Sequence, residues 1–402
     1  MGGVHGLGGY VAQEVFWTGL PTGAQSGGAG DVTLSNAGEV LTAGDHAPAM
    51  TALSYGSGYG SGAVTVSNDG GTIGTSGLLS HGIIAESHAF ASAGLEEPAA
   101  AGSVEVSNAA GNISTEGAGA IGVLAHSWSD IGTAAAVTVN NVGGEILSFG
   151  RDSGVSVDAR SVALSGAAGD VHLDNSGGRI YNVGAEGAVV LQSRSATAKA
   201  GDVSALNHSA IISREDGSTA ITLDSTGAIN GDILLENAGL IRGGKTGTAI
   251  AIIGGAENLI LNDGALDPDD TAVIRTAGIV TDTVITATSG NDAIQNLNGA
   301  MIIGSVKLGA GLNSFLNGGS AYFLSGGEID LGAGNTLTNH GYLSLGGLGA
   351  VMNDGGEDAV LNGRTTYGPT VLTGNFVQGA MGQMLTDLNF ATGIGRMDYA
   401  DL

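Results

Sequence analysis

The chain has 402 residues, 74 of them glycine and none cysteine, and its 38 acidic against 12 basic residues give a formal charge of -26. Glycine does not recur at every third position as collagen requires, and a mean hydropathy of +0.23 is too apolar for a solvated coil. No run of 18 apolar residues reads as a membrane helix, and the few dispersed lysines and arginines argue against a nucleic-acid surface.

Residues 1–28 read as an N-terminal segment, in which Phe16 and Trp17 form an apolar cluster suited to capping a first coil. From 29 to 258 one unit recurs seven times. Its anchor is a short alternating run that ends in asparagine: Val32 to Asn36, Val64 to Asn68, Val104 to Asn108, Val137 to Asn141, Val171 to Asn175, Val203 to Asn207 and Ile233 to Asn237. All seven copies place asparagine four residues after the anchor, although the anchors lie 30 to 40 residues apart. A glycine turn and a short apolar segment follow, centred on Val40, Ile73, Ile113, Ile146, Ile180, Ile211 or Ile241. A second turn leads to another alternating run, as in Ile83 to Ser87, Val123 to Ser127, Val155 to Ser161 and Val189 to Ser193. Period-2 alternation bounded by Gly, Asn, Asp and Ser means strand.

Such a unit cannot bury its apolar faces alone. Stacked copies can, because each strand then pairs with its equivalent one coil away at about 4.8 Å. The expected fold is all-β, a right-handed parallel β-helix. Asn36, Asn68, Asn108, Asn141, Asn175, Asn207 and Asn237 are expected to stack as a structural ladder, each amide donating to the next. Residues 259–402 continue with less regular turns spaced nearer 20 to 25 residues, such as Val306 to Gly311 and Ile329 to Asn339. The stretch Leu372 to Phe390 reads as a hairpin or final cap.

Motifs with catalytic or ligand-binding associations dissolve into this pattern. Gly239 to Thr246 matches G-x-x-x-x-G-K-[ST], but a strand rather than a helix follows at Ala249 to Ile253. Gly117 to Gly122 matches G-x-G-x-x-G, a match that this glycine content supplies by chance. Gly309 to Phe315 has the spacing of a calcium-binding nonapeptide turn, with Asn313 where aspartate is required, and Gly334-Asn335 repeats the substitution. Asp267, Asp269, Asp270, Glu96, Glu97, Glu357 and Asp358 read as solvated loops. The remaining acids are scattered, and the eight histidines lack ligand spacing. No catalytic residue, metal site or cofactor is expected.

The repeat GDVTLSNAGEV…GIIAES resembles passenger domains of bacterial autotransporters (type V secretion), and the run from TSGNDAIQNLNGAMIIGSVKLGAGLNSF to LTGNFVQGAMGQMLTDLNF looks like the pertactin-like end of such passengers. Gly395 stands before Arg396 where that family commonly has aspartate. The resemblance implies a surface-displayed or secreted adhesin or structural stalk, whose C-terminal part nucleates folding outside the cell. It also implies localisation at the bacterial cell surface or outer membrane, and as partners its own translocator β-barrel and host-cell or matrix receptors or glycans. The translocating barrel is not in the sequence, and Met1 to Gly9 carry no signal-peptide pattern, so the chain is expected to be a passenger fragment or a truncated reading frame. Freedom from cysteine fits passage through a narrow pore, which a disulfide formed in the periplasm would block. The alternative of another class is a polysaccharide-processing β-helix enzyme.

Overall fold

The computed structural model describes residues 28–91, 98–150, 152–266, 272–276, 283–345 and 370–385, and the strand course alone of 11–16, 388–389 and 396–397. All regular elements among the described residues are strands. They belong to two compact units, Met1–Ala205 with Asp224–Gly231, and Leu206–Leu223 with Asp232–Leu402. Each is a parallel β-helix.

In the first unit a coil consists of three strands, for example Val64–Asp69, Thr72–Thr75 and Ile83–Phe90. The next coil repeats them as Val104–Ala109, Asn112–Thr115 and Val123–Ser129. Every strand pairs in parallel with its counterpart, so that Val64, Val104, Val137 and Val171 stand in one column, and Ile73, Ile113, Ile146 and Ile180 in another. Alternation sends Val64, Val66, Ile73, Ile83 and Ala85 into a core where each is at most 1% exposed, while the residues between them face outward. At about 1.5–3 kcal/mol for each large aliphatic side chain, these columns supply most of the cohesion. The strand Val11–Phe16 pairs in parallel with Met50 to Tyr55, whereas Trp17 lies outside the described residues.

The second unit follows the same plan. Ile233–Asn237, Glu257–Asp263, Asn291–Leu297, Ser314–Asn317 and Thr336–Asn339 stack in parallel register, and Phe315 packs on Phe323 with ring centroids 4.6 Å apart. Of the expected hairpin or final cap over Leu372 to Phe390, the hairpin is corrected for the described residues up to Leu385. Val371–Thr373, Asn375–Gln378 and Gln383–Leu385 pair in parallel with the strands Tyr322–Asp330, Thr336–Asn339 and Tyr342–Ser344, which makes them another coil. Leu372, Phe376 and Met384 fall opposite Ile329, Leu337 and Leu343, and a hairpin would have left those three columns open. An antiparallel pair does occur later, between Leu388–Asn389 and Arg396–Met397.

Candidate functional site

The repeated asparagines form amide ladders. In the first unit Asn36 Nδ2 donates to Asn68 Oδ1 at 2.9 Å, Asn68 to Asn108 at 2.8 Å, Asn108 to Asn141 at 2.8 Å and Asn141 to Asn175 at 2.8 Å. In the second unit Asn207 donates to Asn237 and Asn237 to Asn262, both at 2.7 Å, and the ladder goes on through Asn296, Asn317 and Asn339 to Gln378. Apart from half-buried Asn36, the asparagines among these are at most 1% exposed. Their turn glycine is dictated by the ladder. A Cβ on Gly111 would stand 2.2 Å from Asn68 Nδ2 and 2.4 Å from Asn108 Oδ1, so no side chain fits.

A second buried row ties the coils of the first unit together. Ser87 Oγ donates to Gly62 O and accepts from Gly102 N, both at 2.8 Å. Ser54, Ser127, Ser161, Ser193 and Ser225 do the same one coil apart. These rows satisfy polar groups at the corners and fix register, which is a structural rather than a chemical task.

The chemistry lies on the opposite face of the third strands. Because alternate residues point outward and the register is parallel, Leu53, Glu86, His126, Arg160 and Gln192 form one outer row, and Tyr55, His88 and Trp128 the adjacent one. Tyr55 Oη donates to Glu86 Oε2 at 2.5 Å. The His126 ring stands between two carboxylates, with Nδ1 3.8 Å from Glu86 Oε1 and Nε2 3.6 Å from Asp158 Oδ2. Arg160 Nε donates to Asp158 Oδ1 at 2.5 Å, and farther along Gln192 Nε2 donates to Asp224 Oδ2 at 2.6 Å. In the ring row His88 meets Tyr55 edge-on at 6.1 Å and Trp128 at 6.0 Å, and Phe90 lies against His88. Asp130 closes this row by accepting from Trp128 Nε1 at 3.1 Å and from Ala91 N at 3.2 Å, with His88 Nε2 at 3.3 Å.

Beside the rows runs an open groove of about 590 Å³. Its floor is Leu53, Tyr55, Ile84, Glu86 and Leu124, its rim the segment from Asp45 to Pro48, and His81 stands in its wall. Burial lowers the His81 pKa, partly offset by Glu86 and Asp158, and its Nδ1 accepts from Ile121 N at 3.0 Å. The neutral ring therefore carries its proton on Nε2. Burial pushes Asp158 upward, but His126 and Arg160 outweigh it and hold the carboxyl below its ordinary value. Asp130 is likewise lowered, with burial outweighed by its hydrogen bonds from Ala91, His88 and Trp128. Asp158 and Asp130 thus stay anionic at neutral pH.

Another titratable group is buried in the second unit. Asp292, 2% exposed, accepts from Asn258 Nδ2 at 2.7 Å and donates its N–H to Asn313 Oδ1 at 2.9 Å, while its Oδ2 is buried without a hydrogen-bond partner in the protein. Burial raises its pKa to about 6, against the lowering effect of Asn258.

The sequence motifs fall on structural ground. Gly239 to Thr246 spans the strand Leu240–Gly243 and a turn into the strand Thr248–Gly254. Gly117 to Gly122 is the turn between Asn112–Thr115 and Val123–Ser129. Asn313 Nδ2 donates to Leu331 O at 3.0 Å and Asn335 Nδ2 to Gly311 O at 3.0 Å, so both amides join coils. Asp267, Asp269, Asp270, Glu96, Glu97, Glu357 and Asp358 lie outside the described residues. Sequence reasoning missed the outer row, whose signal is the residue immediately before each buried serine: Glu86, His126, Arg160, Gln192 and Asp224.

The fold and its decorated face define a parallel β-helix with polar and aromatic side chains gathered on one sheet. Comparison with protein-family models, with curated proteins and with solved structures finds no match to this chain.

Proposed function

We propose that the chain is a surface-displayed or secreted passenger of the type V secretion kind, acting as an adhesin or stalk, and that it binds its receptors or glycans with the outer face of the third strands in the first unit. One observation carries this reading. Stacking brings Tyr55, Glu86, His88, His126, Trp128 and Asp158 onto a single face, although they are dispersed over a hundred residues of sequence. A regular frame with side chains arrayed on one face is suited to recognising an extended surface. The absence of cysteine and the acidic balance fit export, with the C-terminal coils nucleating folding outside the cell and the translocator β-barrel as partner in transit.

The test is adhesion of the purified chain to cells and matrix, alongside a glycan array. The expected result is retention by the native chain and loss with Trp128→Ala, at unchanged circular dichroism. Turnover of a polysaccharide that disappears with Glu86→Gln or Asp158→Asn would instead establish the enzymatic alternative.

A further inference from the structure

We infer that the groove between the Asp45–Pro48 rim and the third strands binds a lysine or arginine side chain carried on an exposed segment of a partner protein. The inference rests on the adhesin reading and specifies what its binding face recognises. The groove is lined by Asp45 and Glu86 and by no lysine or arginine, and Asp45 Oδ1 accepts from Leu78 N at 2.9 Å. The nearby guanidinium of Arg160 is engaged by Asp158, and burial lowers the His81 pKa, so neither supplies a cation to the groove; the other imidazoles here are His46 in the rim and His126 beside Glu86. Tyr55 occupies Glu86 Oε2, while His126 Nδ1 stands 3.8 Å from Oε1, beyond hydrogen-bonding distance.

The floor supplies the other half of the complementarity. Leu53, Ile84 and Leu124 offer aliphatic surface to the methylene stem of a long basic side chain, whose charged head then reaches the carboxylates. The size of the groove, about 590 Å³, suits one such side chain with its flanking residues. A net charge of -26 draws cationic partners and accelerates their encounter.

The experiment is calorimetric titration of the whole chain with the blocked peptide acetyl-Gly-Leu-Arg-Leu-Gly-amide, and with the same peptide carrying citrulline, the uncharged isostere of arginine. The arginine peptide is expected to bind at least about tenfold more tightly. Glu86→Gln and Asp45→Asn should each remove most of that advantage, and Asp69→Asn, an equal charge change outside the groove, should not. Equal binding of the two peptides, no binding of either, or equal weakening by all three substitutions overturns the inference. Cell adhesion separates this outcome from the adhesin reading. Adhesion lost with Trp128→Ala but without peptide discrimination removes the cation site alone, whereas peptide discrimination without adhesion removes the adhesin reading and leaves the groove.

Discussion

The two units share a coil plan but differ in how individual strands of it carry ionisable side chains. In the first, the ionisable side chains stand on the outer face of the third strands, where Glu86 and His126 keep roughly a quarter of their surface exposed. In the second, the corresponding outer positions of one strand carry Ala251 and Ile253, while a carboxyl is drawn inside elsewhere, at Asp292. Outside, polar groups are solvated and can be exchanged at little cost to stability. Inside, each must be matched, and a mismatch is felt by the whole coil stack.

The comparison breaks most severely if the shared amide frame is damaged. Gly111→Ala drives a methyl group into two ladder amides and should cost about 3–4 kcal/mol, combining overpacking with broken buried hydrogen bonds. Urea denaturation measures it, and a cost under about 1 kcal/mol would show that the ladder yields easily. Asn296→Ala tests the same frame in the second unit. It removes the acceptor of Asn262 and the donor to Asn317 Oδ1 and Tyr322 O, and about 2–3 kcal/mol should be lost by the same measurement.

Asp292 sharpens the contrast through pH. Its folded pKa of about 6 stands above the ordinary 3.8, so between these values the folded chain holds the proton more tightly than the unfolded chain. Stability should therefore fall as pH rises from about 4 to 6 and level off above, by on the order of 3 kcal/mol from this group. Asp292→Asn should flatten that segment of the profile, matching the native chain near pH 4 and exceeding it at pH 7.5 in thermal melts. The smallest effect belongs to the outer row. Tyr55→Phe removes the hydrogen bond to Glu86 from a half-buried site and should change stability by less than about 1 kcal/mol. A larger loss in the melt would mean that the outer row supports the coil as well as decorating it.

Much of the fold was legible because the strands begin where the alternating runs begin, from Val32 to Ile233, and because asparagine keeps a fixed place in each. Further along, the anchor itself changes. Asn258 occupies the register position of Ile233, and Asp292, Asn313 and Asn335 succeed it, so a search keyed on an apolar anchor stops although Asn262, Asn296, Asn317 and Asn339 still follow four residues later. The hairpin alternative for the final segment arose for a related reason, since short strands separated by glycine turns look alike whether they fold back or stack. The outer row was hidden more deeply. Glu86, His126 and Asp158 are far apart in sequence, and their meeting depends on which parity of each strand faces outward, which the buried serines decide.

The ladder couples asparagines 21 to 40 residues apart in sequence with nearly constant donor–acceptor distances. Sequence length between successive rungs is therefore free to vary while the rungs remain equidistant. This makes the coil a modular unit of growth. Removing residues 69–108 would bring Asn68 directly under Asn141, with the same amide partner chemistry that Asn108 now provides. Lineages of this chain can thus lengthen, shorten or redecorate coils without redesigning a core, and can vary what the outer face recognises while inheriting the means of stacking it.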